Sequence, residues 1–198
     1  GKLVQSWPRS VGQVLSGSAP FLQRVRGKWV TNNRGCIASE GRCYDSYVNS
    51  ESTPLFYFGF GLSYTTFSYG ALTVNPTMSS TALEQLRLAD WQSAATDLPV
   101  LNVSVGVTNT GSVAGTEVVQ VYVTDPSGLP FVPYWKRLVS FGRVSLPPGA
   151  SSTVTISVSW FDLAMYDGAM ELRVVPGNYT LSAGGASNTD ASRTAFVV

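Results

Sequence analysis

A period of two runs through most of this chain and restricts its fold more than any other feature. From about residue 62 onward, short runs alternate apolar with polar residues, and each run stops at a cluster of turn formers. LNVSVGVTN places Leu101, Val103, Val105 and Val107 on one face, with Asn102, Ser104 and Thr108 among the remainder. VVQVYVTD sets Val119, Val121 and Val123 against Val118, Gln120 and Tyr122, and TVTISVSW sets Val154, Ile156 and Val158 against threonine and serine. Successive strand side chains point to opposite faces, so this period belongs to strands and not to helices. FSYGALTV, KRLVSFGRVSL, MELRVV, NYTLSAGG and RTAFVV supply further runs, with breaks at Asn109-Thr110-Gly111, Asp125-Pro126-Ser127-Gly128, Pro147-Pro148-Gly149 and Pro176-Gly177-Asn178. Short strands with turns at this spacing predict an antiparallel β-sandwich of the immunoglobulin or fibronectin III kind. Tyr179, just past a turn, suits a tyrosine packed at a sandwich corner, and a half-buried strand residue reads much the same. Residues 79–97 interrupt the pattern. Thr81 and Glu84 stand in capping-box relation there, which predicts a short helix in a strand connection, with a surface loop as the alternative.

Residues 1–52 follow neither period. After the apolar start GKLVQSWP comes a long irregular stretch rich in Gly, Ser, Asn and Arg. Stretches this long without regular structure are uncommon inside a compact domain, so this part reads as a tail that rests on another surface. Its two cysteines, Cys36 and Cys43, are the only ones in the chain. Two such ligands do not make a structural zinc site, which leaves a local disulfide or two free thiols. Where the two compositions meet stands TPLFYFGFGLSYTTF, residues 53–67, rich in aromatic residues and without a charge.

Charge and composition narrow the function. Thirteen basic residues face twelve acidic ones with no basic stripe, which argues against nucleic acid. No apolar run approaches the length of a membrane-spanning helix, so no membrane insertion is expected. The chain has no histidine, which removes Ser-His-Asp and Cys-His catalysis and histidine metal sites; no cofactor is expected. Among the carboxylates, Asp125, Asp162, Asp167 and Asp190 stand in turn contexts, Glu117 and Glu171 begin strands, Glu84 fits the helix cap, and Glu51 precedes the aromatic run. Asp45 is either structural or close to a substrate cleft. No pair announces itself as catalytic. Sugar recognition favours exposed aromatic faces beside polar groups, which makes Trp29, Tyr44, Asp45, Tyr47 and Trp135 the contact candidates, with packing as the plainer reading of each ring. Asn102-Val103-Ser104 and Asn178-Tyr179-Thr180 are N-glycosylation sequons.

Several motifs together resemble one known arrangement. GKLVQSWPRSVGQV is similar to the last strand of the second domain of family 3 glycoside hydrolases, and TPLFYFGFGLSYTTFSY to the family's junction motif. VTNTGSVAGTEVVQVYVTDP, FGRVSLPPGASSTVTISVSWFDLAMYD and VVPGNYTLSAGGAS resemble the fibronectin type III-like module that ends those enzymes. Residues 12–52 match more loosely, and Phe56-Tyr57-Phe58 lacks the usual proline.

The resemblance implies that residues 1–52 are the end of an α/β second domain plus a linking tract. Residues 53–198 are then a fibronectin type III-like sandwich with its junction motif at 53–67. Leu55, Phe56, Phe58, Phe60, Leu62 and Tyr64 are expected to fix the module against the hydrolase body. The family hydrolyses β-linked glucosides with retention, using two carboxylates about 5–5.5 Å apart. Both are expected upstream of this chain, which then acts as a buttress, shapes the cleft rim and is inactive alone. Its partners are the upstream catalytic domains and β-linked carbohydrate. A secreted location is expected, with any signal peptide outside this chain. The alternative is a non-catalytic extracellular module for carbohydrate binding or adhesion.

Overall fold

A computed structural model describes residues 1–9, 36–37, 42–43, 54–86, 98–126, 136–188 and 192–198. Strand β1 (Cys36–Ile37) pairs antiparallel with β2 (Arg42–Cys43), with Cys36 directly opposite Cys43 in the register. The long strands are β3 (Phe67–Pro76), β4 (Pro99–Asn109), β5 (Gly115–Thr124), β6 (Arg137–Leu146) and β7 (Ser151–Ser159). A two-residue pair, β8 (Met165–Tyr166) and β9 (Leu172–Arg173), precedes β10 (Asn178–Gly184) and β11 (Ser192–Val197). One sheet has the order β3-β4-β7 and the other β11-β10-β5-β6, with every pairing antiparallel. The two sheets face each other as a three-on-four sandwich.

The valine alternation builds the core between them. Leu101, Val103, Val105 and Val107 of β4 are all buried and meet Val119, Val121 and Val123 of β5 in one apolar cluster. Ile156 and Val158 of β7, Leu181 of β10 and Trp160 complete it. Each fully buried Val or Leu contributes about 1.5–3 kcal/mol by leaving water. The opposite face of the three-stranded sheet is polar and solvated, as an antiparallel sheet permits. Hydroxyl pairs run across it, with Ser104 and Thr155 oxygens 2.9 Å apart and those of Thr108 and Ser151 2.7 Å apart.

Three polar groups fix the ends of the sandwich. The Tyr179 hydroxyl, wholly buried, donates to the Val175 carbonyl at 2.7 Å, which realises the corner expected from the turn before it. Asn109 ends β4 with its amide fully used. It accepts from the Thr65 hydroxyl (2.6 Å) and the Gly111 amide (3.1 Å), and donates to the carbonyls of Val113 (2.8 Å) and Leu146 (3.0 Å). Arg137 pairs with the buried carboxylate of Asp125 at 3.3 Å and donates to the carbonyls of Asp162 and Leu163. Asp125 is therefore more than the turn residue its sequence context indicates.

The predicted helix forms over Ser80–Gln85, with a correction to its cap. Ser79 is the N-cap and accepts from the Ala82 amide at 3.2 Å, so Thr81 and Glu84 are interior residues and make no capping box. Starting at Ser79 turns Leu83 into the core, and burying that side chain decides between neighbouring hydroxyl residues. The rest of the predicted segment, 87–97, lies outside the described residues. The capping box sits elsewhere, at Ser159 and Asp162 around the short helix Trp160–Leu163.

Candidate functional site

Before Phe67, where β3 begins, the described part of the aromatic run joins neither sheet. Residues 54–60 pair instead with the first residues of the chain. Trp7 and Phe56 form an antiparallel bridge, Trp7 N donates to Phe56 O at 2.8 Å, Leu3 N to Phe60 O at 2.8 Å, and Gly59 N to Leu3 O at 2.9 Å. The Phe58 amide donates to the Ser6 hydroxyl at 3.0 Å. These bonds make a short two-stranded ribbon from two segments about fifty residues apart.

One side of the ribbon is seated on the outer face of β5. Gln120 Nε2 donates to the carbonyls of Gly59 (3.1 Å) and Gly185 (2.8 Å), and the Tyr122 hydroxyl donates to Gln120 Oε1. Phe58 meets Tyr122 edge to face with centroids 6.5 Å apart, and the Ser187 amide donates to Phe58 O at 2.9 Å. Lys136 Nζ lies 5.6 Å from the centre of the Tyr122 ring, within cation–π range. Gly59 sits at φ +78, a left-handed conformation that favours glycine, and a Cβ there would overlap Gln120 Oε1. The backbone can approach β5 this closely only without a side chain. Both faces of β5 are therefore covered, and Gln120 and Tyr122 are buried like Val121 between them. Burial pushes the Tyr122 phenol above its ordinary range.

At the end of the ribbon, Lys2 reaches the edge of the core. Its Nζ donates to Glu117 Oε1 at 3.1 Å and to the Gly185 carbonyl at 3.0 Å, and the Tyr69 hydroxyl donates to the same Glu117 oxygen at 3.0 Å. Burial first, and then the charge of Glu117, push the Tyr69 phenol up. Sequence reasoning set Glu117 aside as a strand-start residue and did not single out Lys2. The signal was available: Glu117 has the same parity as Val119, Val121 and Val123, and a carboxylate on an inward phase needs a partner. The both-faces burial of β5 was likewise written in VVQVYV, where the second face is apolar or neutral too.

The other side of the ribbon is left open. Among the described residues, twelve large apolar side chains are exposed, and six of them belong to this ribbon and the residues after it: Val4, Trp7, Leu55, Phe56, Leu62 and Tyr64. Leu62 and Tyr64 are 88% and 98% exposed. Phe56 stacks on Phe60 with centroids 4.9 Å apart. Of the six predicted junction residues, Phe58 and Phe60 are thus drawn partly in, and Leu55, Phe56, Leu62 and Tyr64 point to solvent within this chain. Concentrated exposed apolar surface of this kind marks an interaction site.

The remaining candidates divide by position. Trp29, Tyr44, Asp45, Tyr47 and Trp135 lie outside the described residues. Asn178 is exposed at the start of β10, while Asn102 is half-buried on the polar face and accepts from the Ser157 hydroxyl at 2.8 Å. Glu117 and Asp125 are engaged in the ion pairs already described. Asp167 accepts from the amides of Glu171 (3.0 Å) and Ala169 (2.8 Å) and pairs with Arg173 at 2.7 Å, which hold its carboxyl below the ordinary range. Asp162 closes the capping box. Each of these four carboxylates thus has a structural task.

Comparison with known proteins places this geometry. Residues 117–187 match the model of the fibronectin type III-like domain. The chain is 37% identical over 194 residues to a β-xylosidase from Formosa agariphila, covering 98% of this chain and 22% of that protein. It is 36% identical over 152 residues to β-glucosidase cel3A from Pyricularia oryzae, covering 73% of this chain and 20% of that protein. The structure superposes on β-D-glucoside glucohydrolase from Trichoderma reesei with a TM-score of 0.71 and 29% identity, over the whole of this chain and 26% of the other. The chain thus spans about a fifth of the length of the curated relatives it matches.

Proposed function

Because this chain belongs with the C-terminal portion of family 3 glycoside hydrolases and carries their fibronectin type III-like domain, we propose that it serves as the structural module of such an enzyme. Its substrates are β-linked glucosides or xylosides, the sugars named for its relatives. Bond cleavage belongs to the rest of the protein, and the module buttresses the domains that perform it. The observation that carries this reading is the open side of the ribbon. Val4, Trp7, Leu55, Phe56, Leu62 and Tyr64 are exposed apolar side chains gathered, among the described residues, on the ribbon and the residues just after it, while relatives have about four-fifths of their length outside the matched region. Aromatic side chains bury about 150–250 Å² each, so closing this surface against a body supplies a strong clamp.

The test compares the same substitutions in two settings. Leu62→Asp with Tyr64→Asp leaves the unfolding midpoint of the isolated chain unchanged, because both side chains are in water already. In the full-length protein it lowers the midpoint and the glycosidase activity. Equal effects in both settings would remove the clamp, and turnover of an aryl β-glucoside by the isolated chain would place catalysis inside it. The same reading carries a secreted location, a Cys36–Cys43 disulfide and glycans on Asn102 and Asn178. It is supported by the backbone register that pairs position 36 with position 43 and by the exposure of Asn178. Intact mass before and after reduction and glycosidase treatment tests all three.

A further inference from the structure

We infer that Lys2 and Glu117 form a charged latch that seats the entering segment in one register on the sandwich, so that the segment leaving the body and the module after it move as one piece. The inference rests on the buttress reading for the identity of the body, but the latch itself lies wholly within this chain.

The geometry is built around Glu117. It stands on the inward phase of β5, 8% exposed at its side chain, beyond the point where β10 ends its pairing with β5 at Gly184 and Gln120. The sheet opens there, and Lys2 enters the opening. Its ammonium spans the Glu117 carboxylate and the Gly185 carbonyl, so both sides of the opening are held by one cation. Among the described residues, Lys2 Nζ and the Tyr69 hydroxyl both donate to Glu117 Oε1. A phenol donates a proton but brings no charge, so Lys2 supplies the compensation that a buried carboxylate requires.

The latch also sets register. Lys2 is the neighbour of Leu3, whose amide and carbonyl pair with Phe60 and Gly59, and Gly59 is held in turn by Gln120 on β5. Sliding the segment by one residue inverts the faces of its own side chains and withdraws the ammonium from Glu117. A buried ion pair is weak evidence for stability but well suited to fixing one arrangement over its alternatives. Here it selects the ribbon register that turns Trp7 and Val4 outward.

The experiment is a double-mutant cycle in the 198-residue chain, using Lys2→Met, Glu117→Gln and the pair together. Two readouts are taken: amide hydrogen exchange at Leu3 and Gly59, and the unfolding midpoint. Lys2→Met is expected to lower protection at both amides at least tenfold and to lower the midpoint. The double variant is expected to recover most of both, because removing the carboxylate removes the charge left unpaired. Lys2→Arg, which keeps a cation, holds protection close to the parent. Unchanged protection in Lys2→Met overturns the latch, and so does a double variant no better than Lys2→Met, since Lys2 then acts by packing alone. If Lys2→Met does not fold, folding of the double variant supports the latch and its failure to fold overturns it. None of these outcomes depends on the body, so loss of the latch leaves the clamp at Leu62 and Tyr64 standing, and the reverse.

Discussion

Replacing Gly59 with alanine tests the seating of the ribbon on β5, and its cost can be worked from the coordinates. Two contributions add. At φ +78 an L-residue costs about 1–2 kcal/mol relative to glycine. The new methyl also overlaps Gln120 Oε1 and lies 2.7 Å from the Tyr122 hydroxyl, so the Gln120 amide must leave. With it go two donated bonds, to Gly59 O and Gly185 O, and the acceptor of Tyr122. Leaving such a buried group unsatisfied costs about 1–3 kcal/mol. The expected loss is about 2–5 kcal/mol, or roughly 4–20 °C in the midpoint for a chain of this size. Gly149→Ala is the control. It has nearly the same angle, φ +72, but nothing within 4 Å of the added carbon, so it carries the conformational cost alone, about 1–2 kcal/mol. The entropy that alanine removes from the unfolded chain is common to both and cancels in the difference. Urea unfolding of the two variants beside the parent gives the comparison, provided each unfolds in one transition with a shared slope. If the two cost the same within about 0.5 kcal/mol, the ribbon does not press on β5 as described.

Other perturbations follow from the same coordinates. Asn109→Ala removes four hydrogen bonds at a buried strand end and is expected to cost about 2–4 kcal/mol by denaturant unfolding; a loss under about 1 kcal/mol contradicts the network. Arg137→Met leaves the Asp125 carboxylate buried without its guanidinium and is expected to cost about 3–5 kcal/mol, whereas a neutral result means the pair is solvated. Tyr69, Tyr122 and Tyr179 have phenols pushed up, chiefly by burial. Because the unfolded chain releases these protons first, near pH 10, stability is full below that pH and falls as pH rises through the folded values. Absorbance titration is expected to show these three ionising late and together with unfolding, and ordinary titration of all nine tyrosines without unfolding contradicts it.

Local periodicity made the sandwich legible. In β4 and β7 the identity of each residue fixes its face, because alternate positions, odd in β4 and even in β7, meet the same core. The helix was readable as an element but not at its cap. Three consecutive hydroxyl residues, Ser79, Ser80 and Thr81, all suit an N-cap, and only the burial of Leu83 selects among them. The aromatic run stands out in the sequence, yet a stretch in which so many residues are apolar has no phase, so nothing in it separates Phe58 from Leu62 or Tyr64. That division is made by Gly59 and Gln120, which lie 61 residues apart. The latch is less local still, since Lys2 and Glu117 are separated by 115 residues. The sequence reading takes Glu117 only as a strand-start residue, although its phase matches that of Val119, Val121 and Val123; the cation beside it emerges only with the ribbon in place.

The proposed clamp between this module and the rest of the protein is tested most directly by covalent surface labelling of the isolated chain beside the full-length protein. Trp7, Leu55, Phe56, Leu62 and Tyr64 are expected to be labelled in the isolated chain and protected in the full-length protein. Phe141, Phe161, Tyr166 and Met170, exposed elsewhere on the sandwich, are the internal standard. Protection confined to the ribbon is the predicted result. Equal labelling of the ribbon in both proteins would contradict it.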